Sequence, residues 1–260
     1  MTEAEIHRWL SWGVIGVGLF TFGLLFFVAA PYGRHRRPGW GPTMSTRWAW
    51  IIMESPAVVL FAWVYFQGQH RMAPVPLILL ILWQVHYVNR TFIYPFRIRS
   101  GDKRTPVLVA ALAFFFQLIN SYVNARHISH LGHYGPGWVQ DPRLWIGVGL
   151  FVTGRRINTW ADAVLIGMRK AKKVDPGAPA SERYSIPKGG LYDWVSCPNY
   201  LGECVEWLGW AVASWSLAGA SFAIFTFANL APRAIAHHRW YRETFPDYPP
   251  DRKALIPGVW

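Results

Sequence analysis

The chain has 260 residues, of which 52% are hydrophobic, 17% aromatic and only 15% charged, well below the roughly 25% charge of a soluble domain. That balance excludes an ordinary water-soluble enzyme and makes the bilayer the natural solvent for the chain. The formal net charge of +12 does not signal nucleic acid, because the cations lie between apolar runs rather than along a face that could track phosphates.

Apolar windows of about 20 residues, enough to cross a hydrocarbon core of about 30 Å, recur along the whole chain. They predict an all-α, polytopic membrane protein with seven transmembrane helices near 8–30, 46–67, 74–95, 105–125, 143–168, 199–213 and 216–235. A single membrane-embedded domain, 1–260, leaves nothing over for a soluble one. The first run is too long for a signal-peptide core and lacks a small-residue cleavage site, so it reads as a mature helix.

The second run carries Glu54 in Trp50-Ile51-Ile52-Met53-Glu54-Ser55-Pro56-Ala57, where Pro56 should kink the helix and loosen its backbone bonding. An ionisable group at a helix centre costs about 3 kcal/mol on insertion scales, so it usually faces an internal cavity and carries function. In the third run Trp83, Tyr87, Arg90 and Tyr94 share one helical face. Tyr87 and Arg90 are read as lining a polar surface, with Tyr87 as a hydrogen-bonding partner for Glu54. Tyr94 and Arg97 fit an interfacial aromatic and a snorkelling arginine.

The fourth run places Gln117, Asn120 and Asn124 on one stripe, which by itself fits helix-to-helix packing as well as ligand binding. In the fifth, Asn158, Asp162 and Arg169 form a face running toward a basic loop, and in the sixth Asn199, Glu203 and Glu206 do the same. The break between the sixth and seventh runs is set at Ser214-Trp215-Ser216. Beyond the seventh, His237 and Tyr241 stand one turn apart. Polar stripes from several helices thus converge on one side.

That side is the basic one. Nineteen of the 26 Lys and Arg fall in 31–47, 97–104, 169–188 and 233–253. Seven spans put all four segments on the same face, which the positive-inside rule makes cytoplasmic, with the N-terminus outside and the C-terminus inside. In a prokaryote the host would be the inner membrane, in a eukaryote the endoplasmic reticulum.

Other signals point away from metals and Rossmann folds. Cys197 and Cys204 make neither a disulfide framework nor a zinc ribbon. His127, His130 and His133 lack an acidic ligand at zinc spacing, so no metal is expected. Gly189-Gly190 is no dinucleotide fingerprint, because no G-x-G-x-x-G follows a strand. Any nucleotide must be held by helices and loops.

Taken in order, several blocks make the chain resemble the steroid 5-alpha-reductase (3-oxo-5-alpha-steroid 4-dehydrogenase) family over most of its length. They are Ile157-Asn158 to Asp162, Tyr184-Ser185-Ile186-Pro187-Lys188-Gly189-Gly190-Leu191, Asn199-Tyr200-Leu201-Gly202-Glu203 to Glu206-Trp207, His237-His238-Arg239-Trp240-Tyr241, Tyr248-Pro249 and Arg252-Lys253-Ala254-Leu255-Ile256-Pro257. Glu54-x-Pro56 and His86-Tyr87-x-Asn89-Arg90-Thr91 narrow the match to reductases of steroid enones. The longer, proline-rich loop 171–183 departs from the eukaryotic pattern.

The resemblance implies a seven-helix fold that binds NADPH, chiefly through 105–260, and reduces the C4–C5 double bond of a 3-oxo-Δ4-steroid. It implies Glu54 and Tyr87 as the catalytic pair holding the substrate carbonyl, with Trp50 and Arg90 beside the substrate. It assigns Asn120, Asn158, Asp162, Arg169, Tyr184, Asn199, Glu203, His237 and Tyr241 to the cofactor. Partners would be a steroid or related lipid enone and membrane lipids, with the protein a monomer and no nucleic acid bound. Two rivals stand beside this reading. One is a membrane methyltransferase using S-adenosylmethionine, which leaves Glu54 and Tyr87 unexplained. The other is a non-catalytic lipid- or steroid-binding membrane protein, whose polar stripes only pack helices.

Overall fold

The structure, a computed structural model, describes residues 1–28, 39–98, 103–171 and 178–260, and all their side chains except those of 169–171. Helices dominate: α1 (Glu3–Phe27), α2 (Thr46–Phe66), α3 (Pro74–Val88), α4 (Tyr94–Arg97), α5 (Val107–Arg126), α6 (Pro142–Ala171), α7 (Ala180–Arg183), α8 (Pro198–Ser214) and α9 (Leu217–Thr244). The long ones coincide with the apolar runs to within a few residues, except that α1 begins earlier, α3 stops at Val88 and α9 runs well past 235. Among the described residues three helical stretches are long and apolar enough to cross a membrane: Glu3–Phe27, Thr46–Phe66 and Val107–Leu131.

Local chemistry sets the ends. At α1 the Thr2 hydroxyl accepts from the Glu5 amide while the Glu5 carboxylate accepts from the Thr2 amide, a capping box. Trp215 takes a left-handed backbone, φ 42°, which ends α8, and the Ser216 hydroxyl accepts from the Gly219 amide to start α9. The predicted break at Ser214-Trp215-Ser216 therefore lies on two helix caps.

Two prolines act differently from one another. Pro56 sits inside a continuous α2. The Ile52 carbonyl, which would normally receive an amide from position 56, accepts the Ser55 hydroxyl at 3.0 Å instead. Near Pro95 the helical ladder itself changes. Asn89–Ile93 forms a π turn, closed by the Tyr94 amide on the Asn89 carbonyl, because Pro95 has no N–H and its ring crowds the carbonyl four residues back. The third predicted run is thus α3, a π turn and α4.

A feature the all-α reading did not contain is a pair of strands, β1 (Thr43–Ser45) and β2 (Arg104–Pro106), paired antiparallel with Thr43 opposite Pro106. Three residues are too few to show a period-2 pattern in sequence. The ladder ties the start of α2 to the start of α5. At the opposite end the Glu3 carboxylate takes two bonds from Arg126, 2.6 and 2.9 Å, and the His70 amide donates to the Ser129 carbonyl. The tail returns to the strand end of the bundle, where Val195 bridges Lys253 in parallel. The described parts of the basic segments therefore gather at one end.

The core is aromatic. Trp83 is fully buried, stacks on Phe61 with centroids 4.3 Å apart and meets Trp207 and Trp210. The most extensive helix contact joins α6 and α8. There Gly147 and Gly154 face Gly209 and Gly202, each pair of glycines one heptad apart. A Cβ at Gly154 would fall on the Glu206 amide, and one at Gly209 on the Phe151 amide. Only hydrogen side chains let the two backbones meet this closely.

Candidate active site

Three helices bring the membrane-depth polar groups together. Glu54 lies near the middle of α2, Tyr87 at the end of α3 and Gln117 midway along α5. The Gln117 amide nitrogen donates to Glu54 Oε2 at 2.9 Å and to the Tyr87 hydroxyl at 3.1 Å. Glu54 and Tyr87 are thus partners through a shared amide; the direct bond expected from sequence is absent, and the glutamine takes its place. Tyr87 is almost fully buried, with its ring against Trp83 and His86.

Asn120, expected at the cofactor, is fully buried behind this group. It donates to Gln117 Oε1 and accepts from Asn124, which in turn accepts from the Trp210 indole at 2.8 Å.

Toward the strand end the polar groups become ionic. Arg90, carried by the π turn, lies 3.5 Å from both Asp162 of α6 and Glu203 of α8. Its guanidinium covers the rings of Trp50 and Tyr94 at 4.7 and 4.9 Å. Tyr94, read as interfacial, here serves as a platform for Arg90. Asn158 donates to the Asn199 carbonyl at 2.9 Å, and the Asn199 side chain donates to Asp162 at 3.1 Å. The α6–α8 glycine contact makes these bonds possible, since a Cβ at Gly202 would fall on the Asn158 amide.

Beside this cluster His86 Nδ1 meets Glu206 Oε1 at 2.8 Å, and Arg155 stands 3.6 Å from the same oxygen. Glu206 is completely buried, and its Oε2 has no hydrogen-bond partner among the described residues. Arg155 also donates to the Val85 carbonyl, which the Asn89 amide leaves free by bonding to His86 instead. A small cleft of about 20 Å³, lined by Arg90, Arg155, Asn158 and Asp162 among others, opens between α3, the π turn and α6.

The polar geometry coincides with a clear family match. The model described as 3-oxo-5-alpha-steroid 4-dehydrogenase covers residues 103–260. The chain is 44% identical to a steroid 5-alpha-reductase of Gossypium hirsutum, over 94% of this chain and 93% of that protein. It is 42% identical to the steroid 5-alpha-reductase of Arabidopsis thaliana, covering 100% and 99% of the two. It is also 42% identical to human 3-oxo-5-alpha-steroid 4-dehydrogenase 1, covering 100% and 98%.

The chain belongs to the steroid 5-alpha-reductase family. It is therefore an oxidoreductase.

In this reductase the remaining predicted residues form a further group at the strand end. Tyr184 meets Trp240 edge-on with centroids 5.2 Å apart, and Tyr241 stacks on Tyr248. His237 lies 3.2 Å from the Tyr200 hydroxyl, one residue along α8 from Asn199. The side chain of Arg169 lies outside the described residues. The histidines at the far end meet in pairs, His7 on His127 and His70 on His133, with ring centroids 5.8 Å apart. Among the described residues no group of three or more metal-ligating side chains occurs, and neither cysteine forms a disulfide.

Sequence reasoning gave no site role to Gln117, His86 or Arg155. The amide stripe of Gln117, Asn120 and Asn124 was the available signal for the first. For the other two the signal was a basic side chain at membrane depth, which needs a buried acid such as Glu206.

Proposed function

We propose that the protein reduces the C4–C5 double bond of 3-oxo-Δ4-steroids to 5α-dihydro-3-oxosteroids with NADPH, using Tyr87 and Glu54 at the substrate carbonyl. The observation that carries this reading is the junction of Glu54 and Tyr87 on one amide, with no acceptor among the described residues for the Tyr87 hydroxyl hydrogen. Its relatives named as steroid 5-alpha-reductases support the substrate class.

Bound NADPH would supply the hydride received at C5. As C5 gains that pair, electrons move onto the carbonyl oxygen, and a donor already aimed there lowers the barrier. Tyr87 donates to this oxygen and Glu54 orients the same hydrogen-bonded group. A proton taken up at C4 then restores the ketone. Trp50 and Arg90 flank the substrate, with the Arg90 guanidinium over the indole.

The cofactor is held by Asn158, Asp162, Asn199 and Glu203, whose carboxylates and amides suit ribose hydroxyls and a carboxamide. Tyr184, His237, Tyr241 and Arg169 complete the set, while the Asn120 amide is already engaged by Gln117 and Asn124. Arginines and lysines of the basic end suit phosphates, including a 2′-phosphate. We read α1, α2, α3 with its extension, α5, α6, α8 and α9 as seven membrane-crossing helices. The N-terminus faces out and the basic end faces the cytoplasm. A lipid enone reaches a monomer from the bilayer.

The test is NADPH consumption by detergent-purified protein with testosterone or progesterone, with the product identified by mass spectrometry. Wild type should form the 5α-dihydrosteroid, and Glu54→Gln and Tyr87→Phe should largely abolish it. NADPH binding without steroid reduction would overturn the substrate, and binding of S-adenosylmethionine in its place would overturn the reaction.

A further inference from the structure

The amide ladder behind the catalytic pair has a direction, and one residue sets it. Trp210 can only donate through its indole nitrogen. Its bond to Asn124 Oδ1 at 2.8 Å therefore turns the Asn124 amide nitrogen the other way, to Asn120 Oδ1 at 2.9 Å and the Asn120 carbonyl at 3.0 Å. That leaves the Asn120 nitrogen for Gln117 Oε1 at 3.2 Å. With its oxygen occupied, Gln117 presents only N–H to Glu54 and Tyr87. Trp210 and Asn120 are fully buried and Asn124 is 1% exposed, so water cannot easily reverse the ladder.

A phenol that accepts from Gln117 keeps its own hydrogen for another acceptor. If Gln117 presented its carbonyl instead, Tyr87 would donate to it and lose that hydrogen to the protein. Resting on the proposed enone reduction, we infer that Gln117 is a positioning residue, polarised by Trp210 through Asn124 and Asn120, which keeps the Tyr87 O–H directed at the substrate carbonyl. Gln117 itself does not touch the reacting atoms in this scheme. Its hydrogen bonds to Glu54 and Tyr87 hold both groups while leaving the phenol proton available.

The experiment compares wild type, Gln117→Glu, Gln117→Leu and Trp210→Phe in two assays on detergent-purified protein. One is steady-state reduction of testosterone; the other is the ultraviolet shift of the bound enone, which moves to longer wavelength when its carbonyl accepts a hydrogen bond. Monodisperse elution and NADPH affinity at the wild-type value identify variants that have kept the fold.

Gln117→Leu and Gln117→Glu should lower kcat on the order of 100-fold, the size expected for a misplaced reacting group, with the KM for NADPH unchanged and a smaller enone shift. Trp210→Phe, which keeps the ring but removes the donor, should move kcat and the shift in the same direction. Wild-type kcat and enone shift in folded Gln117→Leu would overturn the inference while leaving the enone reduction standing. A loss confined to Gln117→Leu, with Trp210→Phe unchanged, would overturn the ladder's role. A wild-type protein that neither shifts nor reduces the enone would overturn the functional reading itself, and this inference with it.

Discussion

Two polar regions lie side by side in this protein and are built on opposite principles. Around Glu54 and Tyr87 the contacts come from neutral amides, arranged as a one-way ladder from Trp210 to Gln117. Around Arg90 they come from opposite charges, with Asp162 and Glu203 at 3.5 Å on either side. A neutral donor holds a catalytic group without adding a field that would compete with charge developing on the substrate. Fixed charges and amides suit a cofactor that carries hydroxyls and phosphates. The two regions should therefore fail in different kinetic constants.

The largest break comes from Tyr87→Phe, which should lower kcat by about 10²- to 10³-fold, as removal of an oxyanion donor does, while the KM for NADPH stays put. A rise in that KM would erase the distinction between the regions. Next is Gly154→Leu, which drives a side chain into the Glu206 backbone. It should destabilise the protein by about 3 kcal/mol, read as a lower thermal midpoint in detergent, and reduce cofactor binding in whatever folds.

Asp162→Asn removes one charge opposite Arg90 and should raise the KM for NADPH about tenfold, equivalent to about 1.4 kcal/mol, with kcat changed less. Ser55→Ala sharpens the comparison from the other side. It strips the Ile52 carbonyl of its substitute donor, should cost about 1 kcal/mol of stability, and should leave both constants near wild type.

The smallest expected effect lies outside both regions, on the part of α9 that runs beyond the expected membrane span 216–235. Burial, then the charges of Arg242, Arg252 and Lys253, hold the His238 imidazole below its ordinary pKa. The unfolded chain therefore takes up this proton more readily than the folded one. The stability linked to neutral His238 is present above pH about 6.5 and is lost as the pH falls through that value toward the lower folded one. Melting curves between pH 5 and 8 should show the wild-type midpoint declining on the acid side, and His238→Gln should flatten that decline.

The helices were legible because their signal is local. Apolar runs put helices at 46–67 and 105–125, and the structure has them at Thr46–Phe66 and Val107–Arg126. Asn158 with Asp162, and Asn199 with Glu203, were each readable as one face, and the structure joins those faces. The π turn was not read, although Pro95 was its available cause. The strand pair was too short to leave a pattern. The amide stripe of α5 was visible, but its connection to Glu54 and Tyr87 was not, because residues 63 and 30 positions away in sequence supply the partners.

What the sequence determined by itself is therefore a set of helices with polar faces and the family to which they belong, since each follows from periodicity or ordered motifs along the chain. The tertiary structure alone decided which faces touch. Glycines without side chains let α6 and α8 approach until Asn158 reaches Asn199. A donor-only indole on α8 orients three amides on α5. Close packing and hydrogen-bond direction are relations between helices, and no single helix carries them in its own spacing.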